Sequence, residues 1–230
     1  MIATDDRWHP QRLARHAQWL DTADTRTAVV YSDACVIDEA GVEIGDSFIQ
    51  RHRPGHVARS GELFGDLVDA NFVPAMCASV LRSAIAAVGG YDERLTFEDW
   101  DMWLRLADAG WRFEYLPGPL ADYRIVSTSI SRTTFARPSA NQYFTMYLIW
   151  RKLLASSRLQ GARRQLALAR LAGDAYRLLL TDDPRGGAAI VFSGWKNRNI
   201  RAVGVGAVRC LGLRRSTMKR WASQLGFGTA

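Results

Sequence analysis

The stretch TFEDWDMWLRLADAG, Thr96 to Gly110, decides how this chain is read, because it puts a carboxylate where an ordinary helix would not. Thr96 suits an N-cap, Gly110 suits the glycine after a helix, and no Pro or Gly interrupts the interior, so the spacing predicts a helix over Phe97 to Ala109. At about 100° per residue, Glu98, Asp101, Arg105 and Asp108 share one polar arc, expected to be solvated, with Asp101 and Arg105 paired at i,i+4. Trp100, Met102, Trp103, Leu104, Leu106 and Ala107 form the packing arc, and Asp99 falls inside it. Two readings are open. Asp99 serves first-turn N–H groups and the helix dipole, or the helix start faces a cleft in which an ionised Asp99 accepts a proton from a bound hydroxyl.

With 230 residues, 48% hydrophobic and 10% aromatic, the chain can build one good core or a domain with a subdomain. Its net charge of +7 is unevenly spread. Residues 1–150 hold 14 Arg and no Lys against 20 acidic residues, a net −6, whereas residues 151–230 hold 16 Lys and Arg against three Asp, a net +13. Cys35, Cys77 and Cys210 are odd in number and follow no metal spacing, so buried thiols in a reducing compartment are expected. The start, MIATDDRWHP, does not read as a secretory signal, and no apolar run reaches the ~20 residues of a membrane span. A cytoplasmic location is expected.

Strand and helix signals alternate through residues 1–130. A helix is expected from near Pro10, with Leu13, Ala17 and Leu20 inward and Arg12, Arg15 and Gln18 wet. Thr27 to Tyr31 reads as a buried strand ended by Ser32 and Asp33, followed by a hairpin turning at Asp38 to Gly41. Asp46 to Gly61 reads as a mobile loop and Ser60 to Ala70 as a short helix; a strand is expected near Met76 to Leu81, and a helix over Ser83 to Val88 closed by Gly89 and Gly90. Phe113 to Leu116 and Tyr123 to Ile125 read as two extended runs separated by a Pro-Gly-Pro turn. Helices are expected over Asn141 to Ala155 and Arg158 to Leu180, then after Pro184 and around Ser216 to Gln224. The fold class is therefore α/β over residues 1–138, followed by a basic helical subdomain over 139–230. The Asp5-Asp6 pair is open between helix capping and a hard-oxygen site for a divalent cation carrying a diphosphate.

Laid out in this order, the chain resembles the family 2 glycosyltransferases of the GT-A fold. Thr4-Asp5-Asp6-Arg7-Trp8-His9-Pro10 is similar to the family's acidic loop and the helix entry after it. Tyr31-Ser32-Asp33 with Ile37-Asp38 to Gly41, Val88 to Glu93, Glu98 to Arg105, and Tyr123-Arg124 follow in the family's order. The resemblance implies that Asp99 is the base that deprotonates the acceptor hydroxyl, with Glu98, Trp100, Gly89, Gly90, Tyr91 and Arg124 on the acceptor side. It places the metal-binding carboxylate on Asp5, with Asp6 on the donor side, and implies Mg²⁺ or Mn²⁺ as cofactor. It implies transfer, with inversion, of a sugar from a nucleotide-sugar donor to a hydroxyl of a glycan or lipid-linked cell-envelope acceptor.

Three departures qualify it. Ala3 stands where the family's first DxD carboxylate falls, and Val126 where some members have His. The family's nucleotide-binding βαβ half precedes the acidic loop and is expected to be absent from an incomplete GT-A domain that starts at Met1. A truncated, non-catalytic partner module is the alternative. The basic tail suggests an anionic membrane surface as a further partner, through Trp195, Trp221 and Phe227 beside Lys196, Arg198, Lys219 and Arg220. Nucleic acid is disfavoured, because Arg163-Arg164, Arg214-Arg215 and Lys219-Arg220 are scattered along helices without a recognition motif.

Overall fold

The computed structural model describes residues 5–126 and 138–210. Ala3, the 216–224 helix, Trp221 and Phe227 lie outside them. The chain forms two compact units, Met1–Asp92 with Glu98–Thr133, and Glu93–Phe97 with Thr134–Ala230.

The first unit is mixed α/β around a five-stranded mixed sheet. Its centre is β2 (Thr27–Ile37), whose run of β-branched and aromatic residues buries Val29, Val30 and Tyr31 completely. On one side β2 pairs in parallel with β5 (Arg112–Arg124), and β1 (Arg7–Trp8) pairs antiparallel with the far edge of β5. On the other side β2 carries two short antiparallel partners, β4 (Ala78–Val80) and β3 (Glu43–Gly45). A parallel pair needs a long crossover. Here the connection from β2 to β5 contains α2 (Phe48–His52), α3 (Phe64–Asp69), α4 (Arg82–Ala87) and α5 (Glu98–Asp108).

Local chemistry set several of these elements as expected. Gly89 and Gly90 have φ of +86° and +77°, and their N–H groups return to Ala86 O and Ile85 O, closing α4 in a Schellman turn. Gly110 (φ +85°) and Trp111 close α5 in the same way on Ala107 O and Leu106 O. The β2–β3 turn is fixed by Asp38, whose carboxylate accepts the Val42 N–H at 2.9 Å.

Elsewhere tertiary contacts overrode the sequence signals. β2 does not end at Ser32-Asp33, because Asp33 Oδ2 accepts the Ser47 hydroxyl at 2.5 Å and Oδ1 accepts the Ile49 N–H at 3.1 Å. Those bonds, with Ser47 capping α2, order a segment read as a mobile loop. The Pro-Gly-Pro run is no turn either. It is a bulge inside β5, with Tyr31 opposite Tyr115 but Asp33 opposite Pro119.

Helix α1 (Arg12–Thr22) is rotated from its expected face: Arg12 and His16 are each 1% exposed, while Leu13 is 60% exposed. The polar residues are tolerated inside because Arg12 donates to Ala78 O at 2.9 Å and stacks on Trp8, and His16 Nδ1 meets Ser79 Oγ at 2.9 Å. Burial and the nearby Arg12 and Arg15 charges lower the His16 pKa to about 4, so it is neutral at physiological pH. The thiols are free, but only Cys77 is buried; Cys210 is exposed and Cys35 lies between.

The second unit is helical where described, with α6 (Ala140–Leu153), α7 (Gly161–Leu180), α8 (Arg185–Lys196) and α9 (Ile200–Cys210) packed in sequence. Ser139 and Gln142 form a reciprocal capping box at α6. Trp150, fully buried, gives its indole N–H to Asp174 of α7 at 3.1 Å. Glycines let α8 and α9 meet at backbone distance. A Cβ built on Gly206 would lie 2.7 Å from Gly187 O and closer still to Ile190 Cγ2, whereas one on Gly204 would meet nothing within 4 Å. Gly206→Ala is therefore expected to cost about 1–3 kcal/mol by overpacking, and Gly204→Ala to gain roughly 0.5–1 kcal/mol from helix propensity. Thermal melts followed by circular dichroism would check both signs. No helix among the described residues is long and apolar enough to cross a membrane.

Candidate functional site

Asp99 stands in the first turn of α5, and both its oxygens are held. Asn71 Nδ2 donates to Oδ2 at 3.1 Å, and the Trp100 N–H donates to Oδ1 at 2.7 Å. Burial is the largest influence on Asp99 and pushes its pKa up; these two bonds pull it down, and the neighbouring Glu98 charge pushes it up again. The net shift is upward. The helix start does not simply hold this carboxylate ionised, because burial outweighs the donors.

Asn71, read from the sequence only as a strand entry, is the residue the pattern missed. With Nδ2 committed to the carboxylate, its Oδ1 is left shielded from solvent and, among the described residues, without a hydrogen-bond partner. An orphaned buried acceptor costs about 1–3 kcal/mol. Turning the amide over would only set oxygen against oxygen. A group donated from outside the chain would satisfy it.

The remaining acceptor-side candidates divide between this carboxylate and the scaffold around it. Tyr91 is 38% exposed, and burial, then Asp99 and Glu98, raise its phenol above the usual range, so it stays a proton donor. Gly89 and Gly90 precede Tyr91, and the loop is pinned by Arg105, whose guanidinium reaches Val88 O at 2.6 Å. The same guanidinium binds Asp101 Oδ2 through Nε at 2.8 Å, and Asp101 is 2% exposed. The arc expected to be wet is thus partly an internal clamp between α5 and the end of α4. Trp100 is 7% exposed and spends its indole N–H on Leu67 O at 2.8 Å, which anchors α5 to α3.

A second cluster gathers at the acidic loop. Arg124 donates from its backbone N–H to Asp6 Oδ1 at 3.0 Å, from Nε to Asp5 O at 2.9 Å, and from Nη1 to Asp38 O and Glu39 O at 3.0 and 3.1 Å. Its guanidinium ties the loop to the β2–β3 turn. Next to it, Arg7 Nε and His9 Nε2 lie 2.6 and 3.0 Å from Asp122. Burial alone would raise Asp122, but hydrogen bonds from His9 and Arg7 outweigh it and hold the pKa below the usual range.

Asp6 goes the other way. Burial, with a smaller push from Asp5, raises it to about 6 against the opposing Arg124 N–H bond.

No protein-family model matches the chain, and no curated protein matches it.

Among the described residues no group of three or more His, Cys, Asp or Glu gathers as a ligand set. Asp5 and Asp6 nevertheless fit the lighter demand of Mg²⁺ or Mn²⁺ bound together with a diphosphate, for which one or two carboxylates suffice. The raised pKa of Asp6 comes first from its burial and only secondarily from Asp5 beside it, and the Arg124 N–H bond and charge offset it only in part. A ¹³C titration of the carboxyl groups should show Asp6 changing charge near pH 6, and Mn²⁺ affinity should fall as pH drops through that value. An Asp6 midpoint in the ordinary range near 4 would contradict the burial-driven shift.

Proposed function

We propose that this chain carries a GT-A-type α/β glycosyltransferase domain, and that Asp99 is its general base. The observation that carries the reading is the Asp99–Asn71 pair: a half-buried carboxylate with a raised pKa, oriented by two donors, beside a buried amide oxygen that has no hydrogen-bond partner among the described residues.

In this reading the acceptor hydroxyl enters against Asp99, and its oxygen attacks the anomeric carbon of the donor sugar. The bond from that carbon to the diphosphate oxygen breaks, the hydroxyl proton passes to Asp99, and the nucleoside diphosphate leaves, so the anomeric configuration inverts. Asn71 orients the carboxylate, and its Oδ1 accepts from a second hydroxyl on the acceptor. Tyr91 is placed to donate to a sugar oxygen. A divalent cation held by Asp5, with Asp6 beside it, would offset the charge of the departing diphosphate. Arg124 and Arg105 keep the acidic loop and the Gly89-Gly90 loop in place. The donor is a nucleotide sugar, and the acceptor a hydroxyl-rich glycan or a lipid-linked envelope precursor.

The test is release of nucleoside diphosphate from a panel of nucleotide sugars with added glycan acceptors. It should be run on the chain alone and with any residues its reading frame supplies ahead of Met1. Acceptor-dependent release that needs Mg²⁺ or Mn²⁺ and yields the inverted anomer is expected; no release from any donor in either form would leave a non-catalytic module.

A further inference from the structure

We infer that the turn joining α8 to α9 is a docking surface for an anionic lipid bilayer. This does not rest on the proposed transfer reaction. The turn Asn197-Arg198-Asn199 presents two large apolar side chains to solvent, Trp195 at 65% exposure and Ile200 at 82%, and nothing in the described helices covers them. An open groove of about 590 Å³ runs between them, bordered by Lys196, Arg198, Asn199 and Val203.

The charge around this tip has one sign. From Pro184 to Cys210, the last described residue, the chain has five Lys and Arg and no Asp or Glu, and three of the five, Lys196, Arg198 and Arg201, lie at or beside the turn. Arg198 and Arg201 are exposed and form no ion pair among the described residues, and the half-buried Lys196 holds its ammonium 4.8 Å over the exposed Trp195 ring. The tip is also rigid. Gly194 lets the α9 backbone approach until a Cβ there would lie 2.8 Å from Val203 N, and Asn199 caps α9 through the Ala202 N–H at 3.1 Å.

Cations flanking exposed tryptophan and aliphatic groups match the boundary between anionic headgroups and acyl chains, where indole rings settle and Lys and Arg meet phosphate. Ile200 separates this surface from one for nucleic acid. Base stacking would use Trp195 but leaves the most exposed side chain of the tip in water.

The experiment is co-sedimentation of the full chain with phosphatidylcholine vesicles, with and without phosphatidylglycerol. Binding is expected only with the anionic lipid and should weaken at high salt. Trp195→Ser with Ile200→Ser should reduce it about tenfold or more, since both side chains would otherwise leave water. Lys196→Gln, Arg198→Asn and Arg201→Gln should together reduce it by roughly fivefold per charge removed; Asn is chosen because Arg198 has φ +54°, which Asn tolerates. Circular dichroism of each variant confirms that the helices persist. Equal binding to neutral vesicles, absent binding to anionic ones, or anionic binding unchanged in both variants would overturn the assignment. So would tight binding to a single-stranded RNA oligonucleotide that survives loss of Trp195 and Ile200 while vesicles fail to bind.

Discussion

Asp99→Asn is expected to lower sugar transfer by a factor on the order of 10² or more, the usual range for removing a general base, with donor binding retained. The substitution keeps the size of the side chain and its acceptor oxygen for the Trp100 N–H, so a structural role alone would leave turnover nearly intact. Glu98→Gln should be much milder, because Glu98 acts on Asp99 only through its charge. The pH profile carries independent information. Asp99 must be ionised to act, and burial lifts its pKa, so kcat should rise with pH through a midpoint above the ordinary carboxylate range.

Stability should respond with the opposite sign. The folded pKa lies above the unfolded one, so Asp99's contribution to stability is fully present below the unfolded value and is lost as pH rises through the folded one. Asp99→Asn should therefore melt at a higher temperature than the parent at pH 7, with the difference shrinking on acidification. Undiminished transfer, or a variant less stable at neutral pH, would remove Asp99 from the role. Asn71→Ala offers a second check: it should lower kcat and move the midpoint upward, since one donor to the charged form is gone.

The second large effect is expected at the clamp between α5 and α4. Arg105→Met should cost about 3–5 kcal/mol in urea unfolding, because Asp101, 2% exposed, loses its guanidinium partner and Val88 O loses a donor. Pairing it with Asp101→Leu should recover much of that loss, since a buried ion pair replaced by packed apolar groups is often neutral. Hydrogen exchange should quicken at Gly89 to Tyr91 in both. A loss below about 1 kcal/mol for Arg105→Met, the level of a surface pair, would mean that the pair is solvated as the helical periodicity suggests.

These two sites mark what was and was not legible in the sequence. The α4 and α5 stops and the Asp38–Gly41 turn depend on left-handed glycines and an Asp side chain within a few residues, so they could be read locally. Asp99 stood out because a carboxylate broke an apolar arc. Asn71 gave no such signal, since its partner is 28 residues away. Arg105 looked wet because its charge has a local mate, while the Val88 carbonyl that draws it inward belongs to another helix. Asp33 and Arg12 misled for the same reason: each is polar, and each is satisfied by groups distant in sequence, Asp33 by Ser47 and Ile49 and Arg12 by Ala78 O. The helical period found α1 but not the face it turns inward.

The bulge in β5 also constrains how this protein can change over generations. Within Pro-Gly-Pro the strand gains two residues on β2 and keeps its alternation of faces, but just beyond it, from Pro119 to Asp122, it advances three residues while β2 advances two, from Asp33 to Cys35, so one odd residue shifts the alternation there. One further insertion or deletion there would turn Asp122 and Arg124 over together, parting the first from Arg7 and His9 and the second from the acidic loop. Pro117 is exposed and free to drift in identity, Gly118 is held to small residues by its φ of +90°, and the number of residues is the quantity that inheritance must preserve.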